Sequence, residues 1–132
     1  RRARLGDWRR YLGAAFSGDA AYSTGFASPV SGEAVLDLGK VLYACSVKLN
    51  GRAAGRELFG PFTFAVRVRK GLNRLDITVS NTLANAISPD RVERHWAHRC
   101  PPVSPYESRQ RAFERESLAS GLFGPVRVIL PV

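Results

Sequence analysis

Methionine is missing from this 132-residue chain, and cysteine, histidine and tryptophan occur only twice each. No apolar run is long enough for the hydrophobic region of a signal peptide or for a membrane span. The chain opens on Arg1 and reads as a segment of a longer protein, whose compartment these residues do not encode. Two cysteines are too few to act as a disulfide scaffold. Cys45 shares strand parity with Val47 and Leu49 and is expected in the core, whereas Cys100 sits in a proline-rich stretch, so a bond between them would need a core thiol and a loop thiol to meet. No Gly-x-Ser-x-Gly motif and no recognisable nucleophile–base pair occurs. Glycoside hydrolysis needs two carboxylates facing across one sugar, yet Asp37 and Asp76 both fall on the polar parity of their strands. Catalysis by this chain alone is therefore not expected.

Acidic residues are also few, 11 against 20 Lys and Arg, for a net charge of +9. Such a balance raises the question of a polyanion partner. The arrangement argues against nucleic acid: Arg67 and Arg69 alternate with Val66 and Val68, and Arg127 lies between Val126 and Val128, as on the wet face of a half-buried strand. The other arginines are scattered, without the packed stripe and interleaved aromatics of a nucleic-acid groove. Repeats and low-complexity tracts are absent.

What is present is strand periodicity. The segment 1–19 carries Leu5, Trp8, Tyr11 and Leu12 at helix-like spacing, but Gly6, Gly13 and Gly18 make it a turn-rich lead-in. Strands are expected at 20–28, 34–38, 43–50, 52–58, 62–68, through Leu75, Ile77 and Val79, and at 126–131. Asn50-Gly51 is the strongest hairpin signal, since both residues tolerate the positive φ of a type I′ turn. The stretch 39–42 reads as a turn. About seven or eight short strands with frequent turns give an all-β jelly-roll sandwich, a single domain over 1–132, able to bury its core without disulfides or metals. The long connection 82–123 breaks the pattern, with one helical turn expected at 82–87 and a short helix at 105–118 that uses Tyr106, Phe113 and Leu118 as apolar contacts.

Several ordered motifs carry a resemblance. Phe16-Ser-Gly-Asp-Ala-Ala-Tyr22, the run from Val35 to Gly51, Gly71-Leu-Asn-Arg-Leu-Asp-Ile-Thr-Val-Ser-Asn-Thr82 and Ser120-Gly-Leu-Phe-Gly-Pro-Val126 resemble the sugar-binding, galactose-binding-domain-like jelly roll of large glycoside hydrolases, of the family 2 β-glycosidase and family 106 α-L-rhamnosidase type. The resemblance implies an ancillary domain, the acid and nucleophile of such enzymes residing in a separate barrel that this chain does not contain.

If each strand reverses the one before, the lead-in, 39–42, 56–61 and the long connection gather at one end of the sandwich. That end would hold Trp8, Tyr43, Phe59, Trp96 and Tyr106, with Asn81, Asn85, Asp90 and His95 as polar candidates. The opposite end, 29–33, 50–51 and 69–73, has no aromatic residue. A sugar site needs an aromatic face and convergent polar groups, which only the first end supplies. Equally, Trp8 and Trp96 would serve as core plugs or face another domain, and Asn81 and Asn85 would serve to bond loop backbone. His95-Trp-Ala-His98 before Cys100 hints at a metal but lacks a fourth ligand at a recognisable spacing. No cofactor is expected; a structural calcium would have to draw on Asp19, Glu33 and Asp37, which are too scattered to support it. The reading is a non-catalytic carbohydrate-binding or ancillary domain with carbohydrate and the catalytic domain of a parent enzyme as partners, and neither nucleic acid nor membrane. A purely structural sandwich and a basic polyanion-binding module are the alternatives.

Overall fold

The computed structural model describes residues 2–86 and 118–130. Its elements are a four-residue helix α1 (Arg9–Leu12), then β1 (Asp19–Ser28), β2 (Gly32–Asp37), β3 (Lys40–Leu42), β4 (Ala44–Leu49), β5 (Arg52–Glu57), β6 (Thr63–Val68) and β7 (Gly71–Ser80). A single 3-10 turn (Leu83–Asn85) follows, and β8 (Gly121–Gly124) and β9 (Arg127–Ile129) close the described chain. The strands form a four-stranded sheet, β1-β7-β4-β5, a three-stranded sheet, β6-β2-β9, and a two-stranded ribbon, β3-β8. Every ladder is antiparallel. This is an all-β sandwich, as the alternation implied.

The two sheets meet through their apolar parities. Cys45, Val47, Leu49, Leu75, Ile77 and Val79 from the larger sheet pack with Ala34, Leu36, Phe64, Val66 and Val68 from the smaller one. Cys45 is a buried free thiol, and burial pushes its pKa up to about 11. Cys100 and the proposed helix at 105–118 lie in or largely in the span 87–117, outside the described residues.

Asn50 and Gly51 join β4 to β5 as a two-residue hairpin, with φ of 52° and 80° and Leu49 paired to Arg52. The stretch 39–42 is a correction. It is not merely a turn, because Lys40–Leu42 pairs with Gly121–Gly124. Neither segment alternates apolar and polar residues; glycine permits their approach instead. A Cβ on Gly39 would lie 2.5 Å from the Gly124 carbonyl carbon and oxygen, and Gly39 has φ +63°. The lead-in has only one helical turn, and the turn expected at 82–87 is the 3-10 turn, with Thr82 Oγ1 accepting from the Ala84 amide.

Candidate functional site

The ladders settle which loops share an end. Asp19 and Ala44 both pair with Ser80, and Cys45 pairs with Glu57, so the starts of β1 and β4 and the ends of β5 and β7 lie together. Backbone bonds bring in the lead-in and the returning chain: Gly6 N donates to Leu122 O (2.7 Å) and Trp8 N to Ser120 O (2.9 Å). At the far end Asn50 Nδ2 donates to Asn73 Oδ1 (2.9 Å) and Lys70 N to Ser31 Oγ (3.2 Å). For the described residues, the two ends expected from strand reversal are thus the two ends observed.

At the first end the candidate residues divide sharply. Trp8 is only 2% exposed; its ring meets Phe16 edge-on at 5.6 Å between centroids, and its buried Nε1 has no hydrogen-bond partner among the described residues. It sits in the core rather than on a surface. Asn81 Oδ1 accepts from Gly18 N (2.9 Å), and its Nδ2 donates to Phe16 O (2.9 Å) and Ser120 Oγ (3.2 Å). Asn85, 1% exposed, donates Nδ2 to Ala14 O (3.3 Å) and Leu118 O (3.0 Å). Both amides therefore tie loop backbones together. Tyr43 (39% exposed) and Phe59 (81% exposed) remain at the surface. Asp90, His95, Trp96, His98 and Tyr106 lie outside the described residues.

Sequence reasoning missed two further exposed apolar residues at this end. Leu58 and Leu83 are both exposed. Tyr43 N donates to Ser80 O (3.0 Å), three residues before Leu83, while Leu58 and Phe59 directly follow β5. The described part of this end thus carries four exposed apolar side chains, Tyr43, Leu58, Phe59 and Leu83, while the Asn81 and Asn85 amides there are occupied. Leu58 closes the strand expected at 52–58 and Leu83 falls in the turn expected at 82–87, and neither reading told which way the side chain faces. Asp7 was also missed. Burial pushes its carboxyl up, but the Arg9 side chain and the Arg9 and Ser120 amides outweigh that and hold its pKa below the ordinary value of 3.8. Among the described residues no three His, Cys, Asp or Glu side chains gather as a metal site.

No protein-family model matches the chain, and no curated protein matches it. Solved structures do. A rhamnosidase from Novosphingobium sp. PP1Y aligns over 87% of this chain at 30% identity and TM-score 0.62. The chain matches a domain of large glycoside hydrolases. A GH2 beta-galacturonidase from Eisenbergiella tayi, bound to glycerol, aligns over 58% of it at 26% identity and TM-score 0.51. A Bifidobacterium dentium beta-glucuronidase complexed with coumarin-3-O-glucuronide shares the fold over 60%, at 23% identity and TM-score 0.50. The hydrolase-type domain spans a small part of each neighbour: 11% of the rhamnosidase chain, 14% of the galacturonidase and 15% of the glucuronidase.

Proposed function

We propose that the chain is a non-catalytic ancillary domain of a large glycoside hydrolase, and that its Tyr43–Leu58–Phe59–Leu83 end packs against a neighbouring domain of that enzyme. The observation that carries this reading is Phe59, 81% exposed at the end of the sandwich that also exposes Tyr43, Leu58 and Leu83. Large apolar side chains exposed together at one end of a domain are a common mark of an interaction site. A sugar site would pair such a ring with free polar groups, but Asn81 and Asn85 are spent on backbone. The small share of each neighbour's length that the chain spans supports a domain with other domains beside it.

Three of the described carboxylates are engaged by neighbouring groups, which supports a non-catalytic reading. Asp37 Oδ1 accepts from Gly39 N, Asp7 is held by Arg9, and Asp76 is held by Ser23 and Arg74. A general acid needs a raised pKa, whereas Asp7 and Asp76 are both shifted down. A second reading, direct glycan contact, is favoured by the two exposed rings of Tyr43 and Phe59, which would stack on a pyranose, with His95, Trp96 and Tyr106 as further contributors.

Hydrogen exchange tests the docking reading. Amides at 43, 58–59 and 83 should exchange more slowly in the full-length hydrolase than in the isolated chain. Equal exchange at all four, with slowing only when oligosaccharide is added, would replace docking by glycan contact.

A further inference from the structure

The two larger sheets end in β1, β5, β6 and β9, and these edges are not alike. β5 carries Arg52, Arg56 and Glu57 and bulges at Ala54, where Val47 pairs with Gly55 but Lys48 with Ala53. β6 carries Arg67, and β9 is three residues long with Arg127. Charges, bulges and shortness of this kind keep an open edge from pairing with another strand. From Ala20 to Ser28, β1 has no charged side chain and no proline, and its register with β7 is unbroken over ten pairs. Among the described residues no strand lies on its other side.

Two bonds fix which of its backbone groups face that side. Asn81 N donates to Gly18 O (3.3 Å), one step beyond the Asp19–Ser80 pair, and Asn50 N donates to Arg74 O (2.8 Å) on the β4 side of β7. Bonded and non-bonded pairs alternate along an antiparallel ladder, so the even-numbered residues of β1 bond to β7. Residues 19, 21, 23, 25 and 27 therefore turn N–H and C=O toward the open edge. Their side chains from Ala21 to Ala27 are small, whereas Tyr22 and Phe26, on the inner parity, pack against the core.

The segment is also nearly palindromic. About Thr24, Ser23 mirrors Gly25, Tyr22 mirrors Phe26, and Ala21 mirrors Ala27. Two antiparallel copies related by a two-fold axis at Thr24 set Ala21 across from Ala27 and Ser23 across from Gly25, all with N–H and C=O toward each other. Tyr22 then faces Phe26 of the second copy at a non-hydrogen-bonded position, where side chains stand closest. Registers shifted by two residues keep the bonding parity but set Tyr22 against Thr24 or Ser28.

We infer that β1 is a dimerisation edge whose partner is β1 of a second copy of this chain, the two four-stranded sheets joining into one of eight strands. Such a contact is isologous and closes on itself. A strand of other sequence could use the same backbone groups, but this segment already supplies its own complement. The net charge of +9 lies outside residues 20–28 and is screened at physiological ionic strength. The edge runs along the side of the sandwich, so the inference goes beyond the docking reading of Phe59.

The test joins sedimentation of the 132-residue chain to hydrogen exchange at high and low concentration, in about 0.15 M salt. At about 300 μM the chain should sediment as a dimer of the 14.5 kDa monomer, a micromolar-range association. Amides of 21, 23, 25 and 27 should exchange about tenfold more slowly there than in dilute solution, while those of 22, 24 and 26 stay protected in both. Ala21→Lys combined with Ala27→Lys sets like charges across the two-fold and should leave a monomer whose fold is retained by circular dichroism, as should Ala21→Glu combined with Ala27→Glu. Mixing the two double variants should restore association. A wild type monomeric at the higher concentration, a dimer indifferent to both double variants, no restoration on mixing, or a dimer lost on Phe59→Ser would each overturn the proposal. So would exchange at 21, 23, 25 and 27 that is independent of concentration, a readout that needs no variant to fold.

Discussion

Asn73 makes four hydrogen bonds from one buried carboxamide, with Asn50 Nδ2 and with the Arg69 and Gly71 backbone. Removing it strands three backbone groups and the Asn50 amide. Asn73→Ala should cost about 3 kcal/mol in denaturant titration, whereas Asp76→Ala, at a solvated position, should cost clearly less. Asp7 gives a pH signature. A carboxyl whose folded pKa lies below its ordinary value of 3.8 stabilises the fold above that value, and the contribution is lost as pH falls through the folded pKa. The melting-temperature gap between the wild type and Asp7→Asn should therefore be widest near pH 6 and shrink below about pH 4. A gap that is constant from pH 6 to pH 3 would remove Asp7 from the account. Residue roles were only partly legible in the sequence. That Asn81 and Asn85 sit at turns was readable; that their partners are Gly18, Ser120, Ala14 and Leu118 was not, because those contacts span 33 to 71 positions of chain.

Among the elements, legibility followed alternation. β4, β6 and, from Asn73 onward, β7 keep a buried–exposed period, and their facing residues follow from it, although β7 already begins at Gly71, where the glycine reads as a turn. Val79→Ala and Leu49→Ala, both inward, should each cost about 2 to 4 kcal/mol. β3 and β8 have three and four residues and pair through glycine contact, so no period announced them. Two glycines separate backbone freedom from close approach. A Cβ on Gly51 meets nothing within 4 Å, so Gly51→Ala costs only its positive φ, about 1 kcal/mol. Gly39→Ala meets backbone at 2.5 Å and should cost more, while releasing protection of the β3–β8 amides in hydrogen exchange. Equal losses at the two glycines would contradict the close approach of β3 and β8.

For the whole molecule, strand reversal sorts the chain chemistry into two ends. One gathers the lead-in, the β5–β6 loop and the exposed Tyr43, Leu58, Phe59 and Leu83; the other gathers the Asn50–Asn73 clamp. Topology made the aromatic end readable from the sequence, but exposure was not readable: Trp8 turned inward while Phe59 remained at the surface. The docking of that end is measured most directly by titration calorimetry of the isolated chain against the parent hydrolase lacking this domain, with wild type and Phe59→Ser compared. Wild type should associate, and Phe59→Ser should bind about tenfold or more weakly with its thermal melt unchanged, as for an exposed anchor residue. Association of equal strength for both proteins, or none for the wild type, would contradict the account.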